Sequence, residues 1–161
     1  MKSKVLKKLV VGLVLIGLLL VPSMGFAAAT CVISKDVFGP FRVIVFNWVA
    51  HTDGAVASGT CDETTDQELG NVSGVIVGAK FEPHATNPPT DDYDVVINTV
   101  GGADILHGVG ADVTNDDSLT EQWKTPFTTD GGSVVLYQEN LDLVITGAGS
   151  GNAGKVKLIL Y

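Results

Sequence analysis

Cysteines and basic residues are scarce in this chain of 161 residues. It has two cysteines, Cys31 and Cys61, and 10 basic against 18 acidic residues, for a formal net charge of −8. A protein with this excess of negative charge is a poor ligand for nucleic acid or anionic lipid. Neither cysteine has a second cysteine or a histidine at the spacing of a zinc site. We therefore expect no nucleic-acid partner and no zinc.

The chain also lacks the common catalytic motifs. It has no G-x-S-x-G sequence, and its three histidines, His51, His84 and His107, are far apart. Residues 149–155 satisfy G-x-G-x-x-G followed by a lysine, but a period-two strand pattern follows where phosphate binding needs a helix. We interpret this stretch as a hairpin loop and predict that the protein is not an enzyme. A secreted hydrolase with a concave pocket is the alternative.

Residues 1–29 show the three-part pattern of a secretory signal. Four lysines precede the apolar run Leu9–Val21, and small residues follow it. The run is shorter than the roughly 20 residues that span a membrane. We predict cleavage after Ala27 or Ala29 and a secreted, periplasmic or cell-surface protein without a stable membrane anchor. The remaining domain, residues 30–161, keeps 6 basic and 18 acidic residues, because the four lysines leave with the signal; its net charge is 6 − 18 = −12.

Residues 30–161 have the composition and hydrophobic pattern of an all-β protein. Val, Ile, Thr and Gly are frequent, and no stretch sustains a 3.6-residue apolar period. About eight short strands separated by turn residues predict an antiparallel β-sandwich of the jelly-roll or immunoglobulin-like kind. The stretch 119–123 fits either one helical turn or an edge strand. The strand candidates are Arg42–Val49, Ala55–Thr60 pairing back on it, Asn71–Phe81 with a glycine bulge, Tyr93–Val100, Ala103–Leu106, Leu119–Trp123, Ser133–Gln138, Leu141–Thr146 and Lys155–Tyr161.

The two cysteines predict one disulfide. In an oxidising compartment, a bond between Cys31 and Cys61 is the simplest pairing. Free thiols and a bridge to another subunit are the alternatives. A bridge within the chain would contribute roughly 3–4 kcal/mol by loop-closure entropy. Replacing Cys31 by serine should then lower stability by that order.

Two groups of residues are candidates for ligand binding. Acidic and amide side chains crowd one loop, and hard cations such as calcium bind several such oxygens. Solvated turn residues are the simpler interpretation, since Asp and Asn favour turns, and we expect no obligatory cofactor. Trp123 lies in a polar stretch and could stack on a sugar ring, whereas Trp48 lies in an apolar strand and is expected in the core. The calcium candidates are Asp112, Asn115, Asp116 and Asp117.

Several segments together resemble small proteins encoded among the structural genes of tailed phages. The resemblance covers residues 41–161 and implies a β-sandwich that assembles on or decorates a particle surface, often as an oligomer. The secretory signal and the cysteine pair depart from that pattern and favour a secreted or envelope-associated relative. The segments are Pro88–Thr90, Tyr93–Val95, Gly102–Leu106 with Gly108, Gly110 and Ala111, Leu141–Thr146, Ala148–Gly154 and Lys155–Tyr161.

These observations predict a secreted, non-enzymatic structural or surface-assembly protein of the phage-decoration type. It would associate with itself or with a surface or particle partner through exposed apolar strands. The alternative is an extracellular binding module that depends on carbohydrate or calcium, with Trp123 and the loop that contains Asp112 as its site. The two hypotheses differ in whether the exposed residues bind protein or a small ligand.

Overall fold

The computed structural model describes residues 28–61, 71–99, 101–115, 122–126 and 132–161. Every regular element in these ranges is a β-strand, and the strands form two antiparallel sheets. The predicted all-β, antiparallel fold with about eight strands is therefore confirmed. The predicted signal lies outside the described residues, apart from Ala28 and Ala29. The strands are β1 (Thr30–Phe38), β2 (Phe41–Val49), β3 (Val72–Pro83), β4 (Asp94–Thr99), β5 (Gln122–Lys124), β6 (Val135–Glu139), β7 (Leu141–Thr146) and β8 (Ala153–Leu160).

The larger sheet has six strands and the smaller has two. The larger sheet runs β1-β2-β8-β3, and both β5 and β6 pair with β3, at Ala79–Phe81 and Val72–Val75 respectively. In the smaller sheet β4 pairs with β7, and single bridges add Val56 beside β7 and Asp104 beside β4. The neighbour orders β2-β8-β3-β6 and Val56-β7-β4-Asp104 are those of a jelly roll. β1 is then an additional strand at the edge of β2.

The inner faces of the two sheets contribute to one hydrophobic cluster. Alternate residues of β4 and β7 are buried, as are those of β8 from Val156 onward, because successive side chains of a strand point to opposite faces. On β2 the same alternation holds for Ile44, Phe46 and Trp48, and Val45 is buried as well. The rings of Trp48 on β2 and Tyr93, just before β4, lie 5.9 Å apart and connect the sheets. Burying each large apolar side chain contributes about 1.5–3 kcal/mol. The cluster includes Ile44, Phe46, Trp48, Tyr93, Val95, Ile97, Leu141, Leu143, Ile145, Val156, Leu158 and Leu160.

The structure corrects four local predictions. β1 was not predicted at all. The segment Ala55–Thr60 does not pair back on β2; it contacts β7, through Val56 and Ile145. Ala103–Leu106 contributes only the bridge at Asp104 rather than a strand. The glycine loop after β7 is no hairpin, since it carries the chain from the smaller sheet to β8 in the larger one.

Other predictions are confirmed in detail. Leu141–Thr146 is a strand with the predicted bounds. Of the stretch 119–123, residues 119–121 lie outside the described ranges; Trp123 belongs to an edge strand, Gln122–Lys124, rather than to a helical turn. The glycines of β3 do mark irregular pairing: the register shifts between Val72 and Gly74 on the β6 side and between Ile76 and Gly78 on the β8 side. The second bulge leaves Val77 unpaired and turns Gly78 to the outer face of the larger sheet.

The predicted disulfide joins Cys31 to Cys61, with their Cα atoms 5.1 Å apart. Cys31 lies on β1, opposite Trp48, in the larger sheet. Cys61 is buried beside the smaller sheet, where its carbonyl accepts a hydrogen bond of 3.2 Å from the amide of Leu143 on β7. The bond therefore connects the edge strand of one sheet to a segment along the other. Such a bond persists in an oxidising compartment.

Across the ranges that the structure describes, no helix has the length and apolar character needed to cross a membrane.

Candidate interaction surface

The exposed apolar side chains concentrate on the larger sheet. Nine large hydrophobic residues of the described ranges are exposed, and eight of them belong to strands of this sheet; the ninth, Tyr161, directly follows β8. Contiguous exposed apolar patches on soluble proteins mark sites of interaction. The larger sheet therefore carries the exposed apolar surface of the described residues. The nine residues are Val32, Val37, Phe38, Phe41, Val77, Trp123, Val135, Tyr137 and Tyr161.

Three of these residues form one patch, here called the aromatic end. Phe38 and Phe41 face each other at the end of the β1–β2 hairpin, whose two-residue turn begins at Gly39 with φ 58°. The ring of Phe41 meets that of Tyr161 edge to face, with centroids 5.8 Å apart. The side chains of Phe38 and Tyr161 are 67% and 64% exposed. The aromatic end is thus a preformed apolar surface at one edge of the molecule.

The backbone of β3 holds Tyr161 in that position. The amide of Tyr161 donates to the carbonyl of Val75 at 2.9 Å, and the amide of Val75 donates back at 3.0 Å. A side chain at Gly74 would collide with the carbonyl of Tyr161, since its Cβ would lie 2.8 Å from that oxygen. Gly74, with φ 143°, therefore permits the close approach of the two segments.

Trp123 forms a second exposed aromatic site, at the β5 edge of the same sheet. Its side chain is 56% exposed, as predicted, whereas Trp48 is 2% exposed and belongs to the core, also as predicted. The indole lies over Gly78, where a Cβ atom would be 2.8 Å from Cζ2. Lys80 is the register partner of Trp123, so the two side chains share the outer face. Gly78 thus provides the space in which the indole rests.

Three charged residues beside Trp123 form a lysine–glutamate cluster of Lys80, Glu82 and Lys157. The Nζ atoms of Lys157 and Lys80 lie 2.6 and 3.3 Å from Glu82 Oε1. Lys80 and Lys157 are direct cross-strand partners, and the carboxylate offsets their repulsion. Burial alone would raise the pKa of Glu82, but the hydrogen bonds and charges of Lys157 and Lys80 outweigh it and hold the pKa below its ordinary value.

Positive charge is confined to the larger sheet. All six basic residues of positions 30–161 lie on its strands, although this part of the chain has 18 acidic residues. Only three of those acids, Asp36, Glu82 and Glu139, lie on strands of that sheet. Basic and acidic residues are therefore distributed unevenly over the molecule, although its net charge is negative. The six basic residues are Lys35, Arg42, Lys80, Lys124, Lys155 and Lys157.

A cleft of about 610 Å³ continues the outer face beyond the lysine–glutamate cluster. Glu82 and Lys155, which are cross-strand partners, line its near side. Residues of β1, of β2 and of the loop after β3 line the rest of the cleft, and in that loop His84 Nδ1 accepts a hydrogen bond of 3.3 Å from the amide of Asn87. This volume falls within the range of small-molecule sites, roughly 300–1,000 Å³. The cleft is therefore of the size of a small-molecule site.

The acidic loop that contains Asp112 lies beside the segment that contains Asp91, Asp92 and Asp94. A bridge between Tyr93 and Val113 brings them together. Asp94 Oδ1 accepts a hydrogen bond of 3.0 Å from the amide of Asp112, and Asp91 Oδ1 accepts one of 2.7 Å from the amide of Asn115. These carboxylates thus shape the loop through its backbone.

The predicted calcium site is only partly covered by the structure, because Asp116 and Asp117 lie outside the described residues. Among the residues that are described, no group of three or more His, Cys, Asp or Glu side chains is placed to hold a metal ion.

The histidines make local contacts. His51 Nδ1 lies 3.2 Å from Asp53 Oδ1, within the turn after β2. His84 orders the loop beside the cleft, and His107 occupies a left-handed turn with φ 50°.

Comparison of the chain with protein-family models, with curated proteins and with solved structures finds no match.

Proposed function

We propose that this protein is a secreted, non-enzymatic structural protein that assembles on a surface, in the manner of proteins that decorate phage particles. The observation that carries the proposal is the concentration of exposed apolar side chains on one sheet, with the aromatic end as its most continuous patch. An aromatic cluster of this kind is typical of the centre of a protein–protein interface. The disulfide supports an extracellular location.

Self-association is the simplest form of such assembly. Phe38, Phe41 and Tyr161 project from the end of a sheet rather than from a mobile loop, so they lose little conformational entropy on binding. The free edge of β1 carries Lys35 and Asp36, and charges on an edge strand oppose strand-to-strand pairing. The contact should therefore be made by side chains of the aromatic end and not by extension of the sheet.

The test is the solution mass of the mature, oxidised protein, measured by light scattering with and without calcium. We expect an oligomer whose mass is independent of calcium. The double variant Phe38→Ser/Phe41→Ser should be monomeric, because it removes the largest apolar contacts of the patch.

The matched control changes Val32 on β1 and Trp123 on β5 to serine. These residues are 60% and 56% exposed; Val32 pairs with Asn47, away from the Phe38–Phe41 end of the hairpin, and Trp123 pairs with Lys80, so the control should remain oligomeric. A monomeric wild-type protein that also fails to bind any particle or cell surface would refute the proposal. Equal loss of mass in both variants would show that the aromatic end is not the specific contact.

A further inference from the structure

We propose that the outer face of the larger sheet binds an acidic saccharide, along a line from Trp123 through the lysine–glutamate cluster to the cleft. This site is separate from the aromatic end, and the proposal does not depend on assembly. Strand register supports the continuity of the line: Trp123 faces Lys80, Lys80 faces Lys157, and Glu82 faces Lys155 at the cleft.

Trp123 has the properties of a stacking platform. It is more than half exposed, and one part of its indole packs against the backbone of Gly78. A sugar ring presents an apolar face of C–H groups that packs on a flat aromatic surface, and a ring already held in place loses little entropy when a ligand binds. An isolated exposed tryptophan would lack this support. The glycine beneath the indole is thus the feature that distinguishes this residue.

The lysine–glutamate cluster supplies the polar half of the recognition. Its ammonium groups donate and its carboxylate accepts hydrogen bonds, which matches the vicinal hydroxyl groups of a sugar. The contact of 2.6 Å between Lys157 and Glu82, both partly buried, holds these groups in place before a ligand arrives. A largely apolar partner would remove water from these charged side chains without replacing its hydrogen bonds, which is unfavourable in free energy. A hydroxylated ligand avoids that cost.

The charge distribution indicates that the saccharide carries carboxylates. Lys80, Lys155 and Lys157 alternate with buried core residues on β3 and β8, so they share the outer face, and Glu82 is the one acid among them. The rest of the molecule is acidic and would repel an anion. An anionic polymer of sugars is therefore drawn to this face and oriented along it.

The test uses tetragalacturonic acid as the probe and cellotetraose as the neutral comparator. Titration calorimetry on the mature, oxidised protein should show binding of the acidic tetramer that weakens as sodium chloride is added. Tryptophan fluorescence should change on binding, because Trp123 lies at one end of the proposed site and Trp48 lines the cleft at the other. Absence of binding, or equal affinity for cellotetraose, would overturn the proposal. Binding to anionic vesicles but not to the tetramer would overturn it as well.

Two variants locate the site. Trp123→Ala should weaken binding about tenfold or more, the scale of a lost stacking contact. Gly78→Ala should weaken it too, although it removes no atom of the site, because its Cβ displaces the indole. Gly101→Ala is the matched control, since its Cβ would meet only Thr99 Oγ1 at 3.7 Å, and it should bind as the wild type does. Unchanged affinity for the acidic tetramer in Trp123→Ala would refute the assignment of Trp123 to the saccharide site. The solution mass of Trp123→Ala should equal that of the wild type, because the site is separate from the aromatic end.

Discussion

Removal of the disulfide should destabilise the protein by about 3–4 kcal/mol. The bond joins residues 30 positions apart. For a loop of that length, the chain-entropy relation gives a loss of about 12 cal/mol/K from the unfolded state, or about 3.6 kcal/mol at 25 °C. Cys61 is 1% exposed, so alanine is the better replacement there, because serine would bury an additional hydroxyl group. The variant Cys31→Ala/Cys61→Ala therefore isolates the effect of the crosslink.

Urea denaturation followed by near-ultraviolet circular dichroism measures this loss. The oxidised wild type should unfold at a higher urea concentration than the double alanine variant, and a reducing agent should bring the wild type close to the variant. The variant Cys31→Ser should unfold at a urea concentration close to that of the double alanine variant. A difference below about 1 kcal/mol would refute the reasoning, since it would mean that the crosslink hardly restricts the unfolded chain.

Two further predictions concern stability. The pKa of Glu82 is held below its ordinary value of 4.5, so its ion pairs stabilise the fold above that pH and are lost as the pH falls below it. The variant Glu82→Gln should therefore show a smaller decline in melting temperature between about pH 6 and pH 3 than the wild type. An unchanged decline would contradict this. Gly54→Ala should cost about 2 kcal/mol or more, because φ is 81° and the Cβ would lie 2.7 Å from the amide nitrogen of Gly149. Gly59→Ala, with φ 80° and open space around it, should cost about 1 kcal/mol, and equal melting temperatures in the two variants would argue against the close contact.

Alternation of apolar and polar residues was sufficient to predict most of the strands. Leu141–Thr146 places every second side chain in the core, so the sequence shows the period directly, and Arg42–Val49 is recognisable as a short run of β-branched and aromatic residues. β1 lacks that signal. Its second half, from Ser34 onward, contains no buried residue, since this edge strand extends beyond the core and pairs mainly through its backbone with β2.

Strand partners could not be derived from the sequence in the same way. Nothing in the residues around Val56 identifies Ile145, almost 90 positions later, as their neighbour. The same limit applies to the candidate sites. Trp123 was recognisable from its polar surroundings, but Lys80, Glu82 and Lys157 come together only through the register of β3 with β8 and β5. The disulfide was predictable because two cysteines in an oxidising compartment have one simple pairing.

The position of β8 determines when this fold can form during synthesis. β8 is the last strand along the chain, yet it lies between β2 and β3 in the larger sheet. Phe46 of β2 therefore cannot pair with its partner, Val156, until 110 further residues have been synthesised, and the centre of the sheet forms only then. Early segments of a growing chain would leave the inner edges of β2 and β3 open to pairing with other chains. The centre of the larger sheet therefore forms only after β8 has been synthesised.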